Sequence, residues 1–532
     1  MTAPLPTRTE AFAALERRGF DVLVIGGGIV GCGAARDAAL RGLSVALVEK
    51  DDFASGTSSR SSRLVHGGLR YLEHGQFHLV FEASGERRRL LRLAPHLVRP
   101  LEFTWPVYDG ARVPRWKLGA GLWLYDALAL FRNVGRHTRL NRDAVVSREP
   151  CLSREGLRGG AAYFDAATND ARLTLANAIG AAEAGAVVLN HAEVVALTAE
   201  GGRVTGATIR DAIDSRTVNA RARAVVNATG PWSDQILRLD HAEQSTVHGS
   251  KGVHIAVPRG RVGNREALTL LSPADGRVFF ALPAGAHAII GTTDTFTSSP
   301  PDAVRATNED VRYLLDAASA FFPAANLSPA DVVSAWAGIR PLVPAVSSSP
   351  GAVSREHAII VGADGLVSIT GGKLTTYRIM AKQVIDVVFS RLGRKAPPCR
   401  TSRLPLPGGD FASFDTLVAA VAASTGDALL GASLASAYGT RWPAVWNEMQ
   451  RGGGNERLDD ALPYTVGELR YAATHEMACT VADALVRRTR LAFETRDHGI
   501  ASARRAARAL GLNEARALSD YERDVERLFA IG

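Results

Sequence analysis

Cysteine is scarce: the 532 residues hold four, at positions 32, 151, 399 and 479, with no C-x-x-C pair. That scatter excludes a structural zinc ribbon and a disulfide frame, and fits a reducing compartment. Long hydrophobic runs are missing too. No window reaches the ~20 apolar residues that cross a bilayer, and residues 1–16 contain no apolar stretch of signal-peptide kind. The expectation is a cytoplasmic protein that at most rests on a membrane. Basic tracts interleaved with aromatics are absent, which removes nucleic acid as a partner. No internal repeat is found. What is present is an ordinary soluble composition, long enough for two to four domains. The net charge of +8 is mild for this length. It suits an anionic substrate, an anionic membrane surface or a merely basic exterior.

The stretch that organises the chain is 20–50. Residues 22–25 are apolar and rich in β-branched side chains, then meet glycine at once, which reads as a buried parallel strand. Gly26, Gly28 and Gly31 make G-x-G-x-x-G: a tight turn, a close approach for a pyrophosphate, and close packing of the next helix. That helix runs to about Arg41 and ends at Gly42. Residues 44–48 form the second strand, and Glu49 ends it, placed to accept two hydroxyls of an adenosine ribose while the helix N-terminus faces the diphosphate. The motif alone leaves FAD and NAD both open.

Residues 52–74 are dense in hydroxyls and glycines, as in a loop that follows a flat polar ligand. A helix over 79–99 carries Arg87, Arg88, Arg89 and Arg92, read as a solvated face. Residues 116–131 form an apolar helix with basic residues at both ends, too short to span a bilayer. It lies either in a membrane interface or, as preferred here, in the core. A helix at 171–184, a strand at 186–189 and a hairpin about Gly201-Gly202 follow. Residues 224–234 repeat the strand, glycine turn and helix. Strands at 253–257, 267–271, 278–282 and 288–290 predict an inserted, mainly antiparallel sheet. The chain returns at 358–361 and 366–370, and Gly371-Gly-Lys373 opens a helix to about Leu392. Beyond a proline-marked linker at 396–410 the sequence is helical, with long runs at 466–493 and 501–510.

These pieces converge. Gly26 to Gly31 with Glu49, His66-Gly-Gly-Leu-Arg-Tyr-Leu-Glu-His74, Asn227-Ala-Thr-Gly-Pro-Trp232, Lys251-Gly-Val-His-Ile255, Gly291-Thr-Thr-Asp294, Gly338-Ile-Arg-Pro-Leu342 and Gly371-Gly-Lys-Leu-Thr-Thr-Tyr-Arg378 resemble the FAD-dependent, membrane-associated glycerol-3-phosphate dehydrogenases. The likeness runs from about residue 18 to 395 and, more weakly, through 468–490. It implies an α/β fold: a Rossmann-like FAD-binding domain of glutathione-reductase and amino-acid-oxidase type (18–100, 155–240 and 350–398), an inserted antiparallel-sheet substrate domain (101–154 and 241–349), and a helical C-terminal domain (405–532).

The resemblance also implies the chemistry. sn-Glycerol 3-phosphate becomes dihydroxyacetone phosphate as a hydride passes to flavin N5 and two electrons go on to a quinone at the inner face of the membrane. A dianionic phosphate needs several cations, ideally planar donors. Arg70, Arg355 and Lys373 match family positions for it, with Tyr71 as a neutral donor. Loss of the C2 hydroxyl proton needs a base or an alkoxide stabiliser. His254 is the candidate base; Arg340, too basic to accept a proton, orients the substrate. Non-covalent FAD would be held by Gly26, Gly28, Ile29, Gly31, Glu49, Lys50, Thr57, Ser58, Ser59, Ser62, His66, Gly67, Gly68, Leu69, Val194, Ala228, Thr229, Gly230, Trp232, Gly372, Lys373, Leu374 and Thr375. A helix starting after Lys373 would favour reduced flavin electrostatically. No metal is expected. The residues after Leu342 depart from the family in being apolar (Val343, Pro344, Ala345, Val346), and the calcium loops of mitochondrial relatives are absent. A same-fold oxidase passing electrons to oxygen, acting on glycerol 3-phosphate or an amino acid, stays open as an alternative, as does a homodimer. A flavin-binding assembly or tRNA-modifying factor finds no support in the sequence.

Overall fold

The computed structural model describes residues 5–130, 133–239, 248–342 and 356–532, apart from the side chains of Arg70, His74 and His248. The β-branched run at 22–25 becomes the centre of a sheet. Its strands lie in the order His357–Val361, Val367–Gly371, Thr217–Asn227, Gly19–Ile25, Val45–Val48 and Val187–Leu189, parallel from the second onward. Val22, Leu23, Val24, Ala46, Leu47 and Val48 are completely buried, as strands covered on both faces must be. The helices Asp170–Glu183 and Tyr377–Arg391 pack against Ile29–Leu40. Ile25, Val48 and Asn227 stand in register at the carboxyl ends of three neighbouring strands, the edge where such sheets hold ligands. The hairpin Ala192–Glu200 and Arg203–Asp211 turns at Gly201 and Gly202, both left-handed, and extends the sheet beside Thr217–Asn227.

A second, mainly antiparallel sheet runs Thr295–Thr297, His248–Pro258, His287–Gly291, Val278–Ala284, Ala267–Leu271, Val98–Tyr108, Leu157–Thr168 and Leu64–Val65, with Ser334–Leu342 also on His248–Pro258. The register of that last pair sets His254 opposite Trp336 and Gly252 opposite Gly338. A Cβ on Gly252 would sit 2.4 Å from the Arg340 guanidinium, so the bare backbone makes room for it.

Three expectations need correction. Arg87, on the helix Phe77–Leu93, is buried rather than solvated: Asp165 and Tyr125 OH meet its guanidinium. The apolar helix, Arg115–Leu128, is only half core. Leu118, Leu122 and Tyr125 are buried, while Trp116 and Trp123, seven residues apart on one stripe, are 73% and 59% exposed. The helical run over 466–493 is broken. Val466–His475 stops where Met477 takes φ +57°, and a π-helical turn, Asp483–Arg488, follows before Leu491–Glu494. Its Arg487 and Arg488 are drawn to Asp52, more than four hundred positions earlier in the chain. The remaining C-terminal helices, among them Phe414–Thr425, Ile500–Ala509 and Glu514–Phe529, keep the expected class.

Candidate active site

The glycine turn is built by exclusion. Gly26 sits at φ +109°, and a Cβ there would lie 2.7 Å from the Ala228 carbonyl oxygen; one on Gly31 would lie 1.9 Å from that of Gly26. Substitution at either would force the helix off the strand. Gly28 caps the helix with no side-chain bond of its own, leaving its N-terminal N–H groups toward the cleft; Ile29 N–H alone donates to Ser58 Oγ (3.0 Å). Glu49 accepts from Gly27 N–H at 2.6 Å and Asp51 N–H at 2.9 Å. Burial, and then Asp51, raises its carboxyl to about 7. Glu49 is half-buried, so its carboxylate keeps room for further donors, which ribose hydroxyls supply.

Gly26, Gly28, Ile29, Glu49, Asp51 and Ser58 border a cavity of about 400 Å³ that Lys50, Thr57, Val194, Ala228, Thr229, Gly230 and Trp232 also line. Ile29, Thr57, Ser58, Gly372, Lys373 and Leu374 are shared with a second cavity of about 570 Å³, so the two adjoin along one cleft. Ser62, His66, Gly68, Leu69, Tyr71 and Thr375 line the second cavity together with His254 and Arg340. Of the expected cofactor residues Gly31, Ser59 and Gly67 face neither cavity. Gly67 instead donates its N–H to Asp165 (2.9 Å), and a Cβ there would meet Tyr125 Oη at 2.2 Å. The Arg70 side chain, Arg355 and the loop from Val343 to Val346 lie outside the described residues.

In the second cavity, His254 stacks on Trp336 (centroids 5.5 Å apart), and its Nε2 lies 2.8 Å from Ser62 Oγ. Burial, with Arg340 and then Arg63 nearby, pushes its pKa down to about 3, so the imidazole is neutral. Arg340 is held at a fixed angle: Nη1 donates to Asp294 Oδ1 (3.1 Å) and Nη2 to Thr292 Oγ1 (2.9 Å). Asp294 is held in turn by Ser250 Oγ at 2.5 Å. Lys373 Nζ lies 3.6 Å from the Tyr71 ring centroid, a cation–π contact that places the ammonium at the junction of the cavities.

The model of the family described as "FAD dependent oxidoreductase" matches residues 21–378, and that of the "C-terminal domain of alpha-glycerophosphate oxidase" matches 399–514. A glycerol-3-phosphate dehydrogenase of Mycobacterium leprae is 42% identical over 93% of this chain and 85% of its own length. An aerobic glycerol-3-phosphate dehydrogenase of Staphylococcus saprophyticus is 36% identical over 89% and 87%. The solved structure of the glycerol-3-phosphate dehydrogenase from Bacillus halodurans, complexed with FAD, superposes with a TM-score of 0.81 at 33% identity, covering 98% of this chain and 97% of that one. The chain belongs to the FAD-dependent glycerol-3-phosphate dehydrogenase family.

FAD fits the cleft. The glycine turn and the helix start, which has no side-chain cap, accept a diphosphate, half-buried Glu49 can take ribose hydroxyls as further donors, and the cleft continues toward Lys373 and His254 as a dinucleotide with a ring at its far end requires. Asp294, Thr292, Trp336 and Asp165 were not singled out from sequence. Asp294 and Thr292 lie inside Gly291-Thr-Thr-Asp294, so their chemistry is legible there. Trp336 and Asp165 left no sequence signal, since each acts on a residue about eighty to a hundred positions away.

Proposed function

We propose that the enzyme oxidises sn-glycerol 3-phosphate to dihydroxyacetone phosphate and passes the electrons to a membrane quinone. The observation that carries this reading is Arg340, fixed by Asp294 and Thr292, in a cavity that also receives His254, Lys373 and Tyr71. FAD, when bound, supplies the acceptor for the hydride from C2. His254 takes the C2 hydroxyl proton, which only an unprotonated imidazole can do. Arg340 stabilises the developing alkoxide from a guanidinium that Asp294 and Thr292 hold in place, so little reorganisation is needed. Lys373, with Arg70 and Arg355, neutralises the phosphate, and Tyr71 flanks it.

A quinone acceptor is supported by the apolar side chains and glycine that Phe77, Ala120, Gly121 and Leu124 add to the lining of the same cavity. On the helices Phe77–Leu93 and Arg115–Leu128 and next to them in the chain, Phe77, Phe81, Trp116 and Trp123 are exposed, and so are Arg112, Arg115, Lys117, Arg136 and Arg139, of which Arg112 and Lys117 pair with Glu73. Exposed aromatic side chains together with exposed cations suit the headgroup region of an anionic bilayer. No helix among the described residues is long and apolar enough to cross a membrane, so attachment would be peripheral, at the inner face. Turnover with a quinone analogue, set against oxygen uptake, tests the acceptor. Oxygen uptake that accounts for all turnover would assign the enzyme to the oxidases instead.

A further inference from the structure

The C-terminal helical segment lines neither cavity among the described residues, yet it grips the adenosine end of the cofactor cleft. Asp52, three residues past Glu49, is completely buried. Arg488 donates to it from Nη1 (2.6 Å) and Nη2 (2.9 Å), Arg487 from Nε (2.6 Å), and Asn190 from Nδ2 (2.8 Å). Consecutive arginines reach one carboxylate because they sit in a π-helical turn, a local widening that tends to occur where side chains have a task. The turn is itself anchored. Arg487 Nη2 donates to Asp483 Oδ1 (2.7 Å), and Arg488 Nη2 to the Glu476 carbonyl (2.7 Å). Asp483 Oδ2 accepts from Cys479 N–H (2.8 Å) and Thr480 N–H (3.0 Å) and meets His191 Nε2 at 2.9 Å.

On the cofactor side the same cluster closes on Glu49. His191 N–H donates to the Asp51 carbonyl (2.5 Å), Ala192 N–H to that of Glu49 (2.7 Å), and Glu49 N–H to that of Leu189 (2.9 Å). Asp52 and Asn190 thus pin two neighbouring turns, one carrying Glu49 and the other leading to Val194. Charges withdrawn from water this completely gain little net stability over an apolar filling of the same shape. What they add is direction: a bidentate fork fixes a carboxylate's position and angle.

We infer that Arg487 and Arg488 are positioning residues for the cofactor: through Asp52 they hold the turn that presents Glu49 to the adenosine ribose, so the C-terminal segment sets how tightly FAD is retained. This rests on the family's flavin cofactor and not on the identity of the substrate or acceptor. Flavin release from diluted holoenzyme, read by the rise in flavin fluorescence, tests it. R488K keeps the charge but loses the fork, and D52N keeps the shape but loses the charge. Both are expected to release FAD at least tenfold faster, while KM for glycerol 3-phosphate, measured with excess FAD, changes less than twofold. R488K with unchanged release but a lowered melting temperature would overturn the inference, since the pair would then be merely structural. Coupling is reciprocal, so wild-type protein gives an independent reading that needs no variant. Added FAD should slow hydrogen exchange at the Cys479 and Thr480 amides, and exchange there that ignores FAD would also overturn it.

Discussion

Asp165 and Arg87 form a buried ion pair directly beneath the glycine loop of residues 66–68. Asp165 Oδ1 also accepts Gly67 N–H at 2.9 Å and the Tyr125 hydroxyl at 2.7 Å. Arg87 donates to Tyr125 Oη (2.8 Å) and to Asn133, and Asn133 to Asp126 (2.6 Å). The helix Arg115–Leu128 is therefore tied by polar contacts to the loop expected to meet the flavin. Removing one partner leaves the other charged, buried and unpaired. Arg87→Met should lower unfolding stability by about 3–5 kcal/mol, read from denaturant midpoints. A loss within measurement error would show that the pair is solvated in solution.

His254→Gln should lower kcat by about 10²–10⁴ with a smaller effect on KM, seen most cleanly in the rate of anaerobic flavin reduction. Burial holds the free imidazole neutral far below its ordinary 6.5, so this group contributes no limb to kcat/KM near neutrality. The acid limb near about 6 belongs to the substrate phosphate and survives in the variant. A limb at about 6.5 that disappears with His254 would mean that the imidazole titrates normally.

Arg340→Lys preserves charge but cannot span Asp294 and Thr292 together. A displaced cation stabilises alkoxide poorly, and kcat should fall about 10²–10³-fold even though the net charge is unchanged. Equal activity would reduce Arg340 to a point charge.

His96 offers a test away from the site. It is 3% exposed, its Nδ1 has no partner among the described residues, and burial, then Arg172, pushes it down to about 3. Between 6.5 and 3 the unfolded chain holds a proton at this residue that the folded chain does not. Stability is therefore full above 6.5 and declines as pH falls, by about 1.4 kcal/mol per pH unit for one such group. His96→Leu should flatten the dependence of unfolding free energy on pH between 6 and 4 by about that slope. An unaltered slope would show that His96 ionises while folded.

The parts of the molecule that sequence reveals are those made by near neighbours. Gly26, Gly28, Gly31 and Glu49 lie within 24 positions, and the strand, turn and helix they imply needs nothing distant. The hairpin at Gly201 and Gly202 and the strands at 267–271 and 288–290 are legible for the same reason. Arg87 is not: on its helix it looks like Arg88 and Arg89, and only Asp165, 78 residues on, draws it inward. The π turn at 483–488 is equally silent, since its cause lies 435 positions earlier. The exposed stripe of Trp116 and Trp123 defeats the expectation of a core helix because composition reports apolarity and not which face finds a partner. For the cavity, the motifs name His254, Arg340 and Lys373, which all line it. The groups that tune them, Trp336 and Ser62 about His254 and Asp294 behind Arg340, come from strand register and loop closure.

The most direct measurement is an anaerobic titration of the purified holoenzyme with sn-glycerol 3-phosphate, following the visible absorbance of the oxidised flavin. The band should bleach with roughly one equivalent of substrate, dihydroxyacetone phosphate should appear in step, and glycerol without its phosphate should have no comparable effect. A flavin that keeps its colour under saturating glycerol 3-phosphate would contradict that reading.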